Sequence, residues 1–94
     1  MRIRWLGRAS RDLDHIEAYI ALDDPRAAVR TVLRIIEAVD QLAEHPGLGR
    51  PGRVEGTREL VLSKTPYLVP YRVRGRRVEI LRVFHHAQKW PEPL

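Results

Sequence analysis

The chain has 94 residues, a net charge of +5 and no cysteine. This length suits one domain, which we expect to span residues 1–94, and the lack of cysteine excludes disulfides, thiolate metal sites and a thiol nucleophile. The N-terminal residues include no apolar stretch long enough for a signal peptide or a membrane span, which predicts a soluble, cytoplasmic protein with no membrane partner.

The N-terminal third predicts one strand and one helix. Apolar and charged residues alternate over residues 2–6, which is typical of a short β-strand, and Gly7 is expected to end it. Ser10 is then expected to cap the first helix. The apolar stripe of this helix consists of three residues at helical spacing: Leu13, Ile16 and Ile20.

The second helix has the clearest pattern in the chain. Asp24 is its expected N-cap and Pro25 its first helical residue, where the missing N–H of proline costs nothing. We expect roughly twenty helical residues, ending before His45 because the following proline disfavours helix there. The residues expected on its broad apolar face are Ala28, Val29, Val32, Ile35, Ile36, Val39 and Leu42.

The C-terminal half predicts a loop over residues 46–57 and then three strands. These strands are expected at residues 58–62, 67–73 and 77–84, the last two joined by a hairpin at Arg74-Gly75-Arg76. Pro70 lacks a backbone donor, so an edge or a bulge is expected at that point of the second strand. The third strand is apolar on both faces and is therefore expected to be central.

This order predicts an α+β fold with the topology βααβββ. A two-helix hairpin would pack on a mainly antiparallel, four-stranded, curved sheet. The other face of the sheet is expected to be partly open and rich in arginine.

The basic residues are concentrated in the second half of the chain. Residues 50–94 contain 10 lysines and arginines against 4 acidic residues, whereas residues 1–49 contain 7 against 8. Arginine accounts for 15 of the 17 basic residues, and its guanidinium group contacts phosphate or carboxylate through two parallel hydrogen bonds. An anionic partner is therefore expected, the alternative being a basic but merely solvated surface.

The adjacent histidines, His85 and His86, admit three interpretations. Successive side chains of a strand point to opposite faces, so the pair is poorly arranged to bind one metal ion, and no metal or cofactor is expected. Acid–base chemistry is possible because imidazole titrates near neutral pH. The alternative is a packing role at the end of a strand. His15 and His45 are expected to be surface or packing residues.

Two arginines of the last strands, Arg72 and Arg82, could share the open face of the sheet with His85. Together they would form a concavity for an RNA phosphate or for acidic side chains of a protein. The alternative is ion pairing with Glu59 and Glu79 on neighbouring strands. Trp90 is expected either to dock onto the domain or to contact a partner.

The order of elements and three segments resemble the RelE/ParE superfamily. The segments are HPGLGRPGRVEGTRELVL, TPYLVPYRV and VEILRVFHHAQKW, and the resemblance covers residues 2–91. Members are toxins of bacterial type II toxin–antitoxin modules, also called plasmid stabilization proteins. RelE-like members are ribosome-dependent endoribonucleases that cut mRNA, and ParE-like members poison DNA gyrase. Both are neutralised by an antitoxin that wraps the toxin.

Matching individual residues favours the ParE-like branch. RNase members usually have an arginine where this chain has Tyr67, and Arg72 fits the Tyr-Arg-Val pattern of ParE-like chains. The loop has Arg50 and Arg53 in place of the lysine-rich set of some RNase members. His85, however, matches a histidine of certain RNase members, although His86 stands where they have a tyrosine.

The resemblance implies a toxin that is held by a cognate antitoxin in a hetero-oligomer and that inhibits DNA gyrase. The alternatives are a ribosome-dependent mRNA endoribonuclease and a nontoxic antitoxin-binding module. The expected target-binding residues are Arg50, Arg53, Arg72, Arg82, His85 and Trp90. The expected antitoxin-binding residues are Leu13, Ile16, Ile20 and Tyr67. No catalytic residue is assigned under the gyrase interpretation, and under the RNase alternative the catalytic residues would be Arg53, Arg72, Arg82, His85 and His86.

Overall fold

A computed structural model of the chain describes residues 1–86. Within these residues, two helices and six short strands form an α+β fold, so the expected fold class is confirmed. The helices are α1 (Gly7–Ala21) and α2 (Pro25–Asp40), and α2 continues as a 3₁₀ turn, Gln41–Ala43. The strands are β1 (Arg2–Trp5), β2 (Arg50–Pro51), β3 (Arg58–Val61), β4 (Tyr67–Arg74), β5 (Arg77–Ile80) and β6 (Phe84–His85).

The sheet has the strand order β1-β5-β4-β3-β2, and β6 pairs with β4. Only β1 and β5 run parallel, so the sheet is mainly antiparallel as expected. β5 lies between β1 and β4, which confirms its central position. The prediction of four strands was too low, because the expected third strand is divided into β5 and β6 and the loop contributes β2.

The division between β5 and β6 lies opposite Pro70. β5 pairs with β4 at residues 71–74 and β6 pairs with it at residues 67–68. Between the two, Pro70 has no N–H to donate, and its carbonyl accepts a hydrogen bond from the backbone N–H of Leu81 (3.0 Å). The irregularity expected at this proline is therefore present.

One helix boundary departs from the sequence expectation. Leu6, not Ser10, is the N-cap of α1, and it makes no side-chain cap hydrogen bond. The backbone of Leu6 bonds to Ile80 of β5 and also accepts the hydrogen bond from Ser10 that opens the helix, so the chain turns from strand to helix without a polar cap. In α2, the α-helical part stops at Asp40 and the 3₁₀ turn extends the helical run to Ala43, so it ends before His45 as expected. The expected cap at Asp24 is confirmed, since its carboxylate accepts hydrogen bonds from the N–H groups of Arg26 and Ala27 (both 3.1 Å).

The core lies between the helix hairpin and one face of the sheet. Ile35 and Val39 of α2 are fully buried, as expected. Val29 was expected on the same face but is 53% exposed, so the apolar face of α2 that packs on the sheet is narrower than predicted. The sheet contributes Leu60, Val69, Tyr71, Val78 and Ile80 to the core cluster.

Tyr71 also fixes the loop over residues 46–57. Its hydroxyl donates a hydrogen bond to the carbonyl of Pro46 (2.7 Å) and accepts one from the N–H of Gly49 (2.8 Å). A Cβ atom on Gly49 would lie only 2.6 Å from the Tyr71 ring, so a larger residue at position 49 would displace either the loop or the ring.

Candidate target-binding and acid–base sites

The arginines of the loop, Arg50 and Arg53, are tied to one buried carboxylate. Glu59, in β3, is 1% exposed. Its oxygens accept hydrogen bonds from the Arg50 guanidinium (3.1 Å) and from the backbone N–H of Arg53 (3.0 Å), and the guanidinium of Arg53 lies 3.7 Å away. Both arginine side chains nevertheless remain about half exposed, at 55% and 45%. The loop therefore presents two oriented guanidinium groups at the surface.

Arg72 pairs with Glu79 across neighbouring strands, which was the alternative expected from the sequence. The two residues are directly opposite each other in β4 and β5, and the Nε of Arg72 donates to the Glu79 carboxylate at 2.6 Å. This hydrogen bond holds the pKa of Glu79 below its usual range, against the opposing effect of burial, and the charges of Arg74 and Arg77 lower it further. Glu79 is therefore ionised at neutral pH.

Arg82 pairs with a residue that the sequence did not indicate. Its Nε and Nη2 donate to the two carboxylate oxygens of Asp12 in α1, at 2.7 Å and 3.0 Å. The backbone N–H of Val83 donates to the same carboxylate (2.9 Å), and the guanidinium lies 4.5 Å from the centre of the Phe84 ring. Glu59 and Glu79, the partners considered for Arg82, are bound to other arginines.

Arg72 and Arg82 do line a common cavity, but His85 is not part of it. The cavity has a volume of about 500 Å³ and lies between the start of α1, the loop and the end of β5. Its wall also includes two arginines of α1, Arg8 and Arg11. The expected concavity therefore contains Arg72 and Arg82 but not His85, and we call it the arginine cavity.

His85 lies in a second cavity, of about 540 Å³, which we call the histidine pocket. Its walls contain two histidines, two tyrosines and a carboxylate, namely His15, His85, Tyr19, Tyr67 and Asp12. His85 is opposite Tyr67 in the strand pairing, and their rings meet edge to face with centres 5.8 Å apart. Burial raises the pKa of the Tyr67 hydroxyl, and the nearby Tyr19 raises it further, so Tyr67 stays protonated at neutral pH.

The neighbour of His85, His86, is exposed and is not among the described residues that line the histidine pocket. The two imidazole rings have centres 4.8 Å apart, and the backbone N–H of His86 donates to the carbonyl of Pro66 (2.8 Å). No group of three potential metal ligands occurs within residues 1–86. Trp90, expected to bind the target, lies outside the described residues.

The residues expected to bind an antitoxin are divided between the core and the surface. Leu13 and Ile16 pack against the core cluster. Ile20 and Tyr67 line a smaller cavity of about 320 Å³ between the helices and the turn before β4, together with Arg30, Arg34 and Lys64. The large apolar residues exposed on the helix hairpin are others: Tyr19, Leu22, Val29 and Leu33.

The family model that matches the chain describes the ParE toxin of the type II toxin–antitoxin system parDE, and it matches residues 3–90. The chain belongs to the ParE toxin family. It is thus a toxin of the type II class within the RelE/ParE superfamily, as the sequence resemblance implied. Among the helices of residues 1–86, none is long and apolar enough to cross a membrane.

Relatives of this ParE-family chain carry the names of both branches. Y4kP of Sinorhizobium fredii, a protein named as a candidate toxin, is 60% identical over 99% of this chain and 96% of its own length. Toxin RelE2 of Caulobacter vibrioides is 40% identical over 93% of this chain and 97% of its own length. A solved structure of the chromosomal ParDE system of P. aeruginosa matches with a TM-score of 0.81 and 38% identity, over 90% of this chain and 95% of that chain.

Proposed function

We propose that this toxin stops growth by binding DNA gyrase and stabilising the gyrase–DNA cleavage complex. The observation that carries the proposal is the separation of the residues that a nuclease mechanism would need. Arg72 and Arg82 line the arginine cavity, whereas His85 lies in the histidine pocket. Arg53 contacts Glu59 in β3. General acid–base catalysis with transition-state stabilisation requires such groups to converge on one reacting phosphate.

Two of the similarity findings support the ParE-like branch. The family model is that of a ParE toxin, and the ParDE structure matches nine tenths of the chain. ParE-like members of the superfamily poison gyrase. The exposed arginines would contact the protein–DNA complex, with Arg50 and Arg53 presented by the loop.

We also propose that a cognate antitoxin covers the helix hairpin and the small cavity beside it. This cavity combines apolar residues, Ile20 and Tyr67, with the cations Arg30, Arg34 and Lys64. Such a wall suits a segment that has both apolar and acidic side chains. The P. aeruginosa relative is described as part of a toxin–antitoxin system, which supports a hetero-oligomer for this chain.

A ribosome-dependent mRNA endoribonuclease is the second candidate, and the histidine pocket is the observation that favours it. In this pocket, His85 or His15 could move a proton to or from the ribose 2′-oxygen, and the protonated Tyr67 could donate to the leaving group. Asp12 would serve only to position its neighbours, since Arg82 already occupies both of its oxygens.

A paired assay separates the candidates. The purified chain is added to gyrase with supercoiled plasmid, and in parallel to translating ribosomes with primer extension as the readout. Trapped DNA breaks with intact mRNA support the gyrase proposal, whereas codon-phased mRNA cuts that disappear in His85→Gln support the nuclease. Tight antitoxin binding without either activity would mean that the chain is a nontoxic binding module.

A further inference from the structure

The arginine cavity concentrates positive charge where the start of α1 meets the end of β5. None of the described residues that line it is acidic. Its volume is about 500 Å³, and four arginines are among the residues that line it: Arg8, Arg11, Arg72 and Arg82.

The internal ion pairs orient two of these arginines and leave the wall positively charged. Glu79 binds Arg72 and Asp12 binds Arg82, and neither carboxylate lines the cavity. Within residues 1–86, Arg11 has no carboxylate within ion-pair distance. The positive charge of Arg11 is therefore not neutralised by an ion pair within the described residues.

We propose that the arginine cavity binds a backbone phosphate of duplex DNA. Guanidinium groups match the oxygens of a phosphate, and the arginines of α1 and β4 can reach a tetrahedral anion from more than one side. The fork of Arg82 is already bound to the carboxylate of Asp12, so this residue adds positive charge to the wall and is not counted as a donor to the phosphate. The positive end of α1, which has no acidic residue in its first turn, adds to the attraction.

The rest of the wall indicates contact with the backbone and not with the bases. Apart from the arginines, the described lining consists of aliphatic or small residues: Leu6, Gly7, Val54, Thr57 and Leu81. This part of the wall has no aromatic ring on which a base could stack. Binding is therefore independent of DNA sequence and sensitive to salt.

This inference rests on the proposed function, because it identifies the surface that would meet the DNA of the gyrase complex. It is tested without gyrase, by fluorescence anisotropy of a short labelled duplex with the purified chain between about 50 and about 200 mM salt. Arg11→Ala removes one exposed guanidinium group of the cavity, and Arg11→Lys keeps the charge. The matched control is Arg26→Ala, an exposed arginine of α2 that does not line the cavity. Thermal unfolding followed by circular dichroism verifies that each variant folds.

We expect Arg11→Ala to reduce the slope of log K against log salt concentration by about 0.9, equally for duplexes of different sequence. Arg11→Lys and Arg26→Ala should retain the wild-type slope. The inference is overturned if the wild-type chain does not bind duplex, or if Arg11→Ala and Arg26→Ala lower the slope equally. It is also overturned if inorganic phosphate or polyglutamate displaces the duplex as effectively as unlabelled duplex does, since the site would then take any small anion or an acidic chain.

The proposal that the arginine cavity binds phosphate and the proposal that gyrase is the target can be disproved separately. Gyrase poisoning by the wild-type chain without duplex binding would disprove only the phosphate site. Duplex binding with the expected salt response, but without trapped cleavage complexes, would disprove only the choice of target.

Discussion

The carboxylate of Asp12 binds the guanidinium of Arg82 through two hydrogen bonds, although the two residues are 70 positions apart in the chain. The arginine side chain is 11% exposed and the aspartate side chain 15%. The pair joins α1 to the segment between β5 and β6, and it lies between the arginine cavity and the histidine pocket. It therefore stabilises the fold and positions the walls of both candidate sites.

Removal of this carboxylate should destabilise the domain. Asp12→Ala removes the carboxylate that binds the nearly buried guanidinium of Arg82 and that accepts the hydrogen bond of the Val83 N–H. We expect the free energy of unfolding to fall by about 3 kcal/mol, as measured by urea denaturation. The control, Asp14→Ala, changes an exposed residue of the same helix and should shift it by less than about 0.5 kcal/mol. Equal effects of the two variants would contradict the structural role of Asp12.

Glu79 should make the stability of the domain depend on pH. Arg72 lowers the pKa of the Glu79 carboxyl in the folded state. The ionised carboxylate therefore stabilises the fold at pH values above the pKa of a glutamate in the unfolded chain, about 4.3. This stabilisation is lost as the pH falls through the lower, folded value. Urea denaturation from about pH 7 to about pH 3 should show a steeper decline for the wild-type chain than for Glu79→Gln.

A matched variant separates the contribution of Glu79 to the pH dependence of stability from the contributions of the other carboxylates. Glu37→Gln makes the same substitution at an exposed glutamate of α2 that has no ion-pair partner among the described residues, and it serves as the control. Parallel profiles for the wild-type chain and Glu79→Gln would show that Arg72 does not lower the pKa of Glu79.

The hydroxyl of Tyr71 should anchor the loop that carries Arg50 and Arg53. Tyr71→Phe leaves the carbonyl of Pro46 and the N–H of Gly49 without their partner. The expected loss is about 1–3 kcal/mol in the free energy of unfolding, together with faster hydrogen exchange at the Gly49 amide. Tyr19→Phe, at a position 76% exposed, is the control and should have no measurable effect. Unchanged exchange at Gly49 would mean that the hydroxyl does not hold the loop.

Charge reversal beside Ile20 and Tyr67 should weaken antitoxin binding. Arg30 lines their cavity, whereas Arg26 lies on the same helix outside the described lining. If the antitoxin places acidic side chains there, Arg30→Glu should lower the affinity by about tenfold, or about 1.4 kcal/mol. Arg26→Glu makes the same change of charge and should lower it much less. Titration calorimetry with the cognate antitoxin measures both, and equal losses would argue against this surface.

The sequence was sufficient to predict those parts of the fold that depend on local patterns. The cap at Asp24, the buried positions of Ile35 and Val39, and the irregular pairing at Pro70 all follow from properties of residues close together in the chain. The prediction of Ser10 as the N-cap of α1 was wrong. The carbonyl of Leu6 accepts the first hydrogen bond of the helix, while the N–H of Leu6 still bonds to Ile80 of β5. A sequence pattern does not reveal that one residue both pairs with a strand and caps a helix.

The candidate sites were harder to predict because they depend on contacts between distant segments. Nothing near Arg82 in the sequence indicates Asp12, and only the packing of α1 against the sheet brings the two together. His85 and Arg72 line different cavities, and predicting this requires the pairing register of β4 with β5 and β6, which alternation along a single strand does not give. Apolar residues outside the helical stripe, such as Tyr19 and Leu33, were the available signal for an exposed binding surface.

The amount of linear plasmid trapped by gyrase is the most direct test of the proposed function. Supercoiled plasmid is incubated with gyrase, ATP and increasing amounts of the purified chain, and the reaction is stopped with detergent and protease. We expect linear DNA to accumulate in proportion to the added toxin. We also expect the cognate antitoxin, when it is added first, to abolish this accumulation. A plasmid that stays uncut at every toxin concentration, while the same preparation cleaves mRNA on translating ribosomes, would contradict the proposed function.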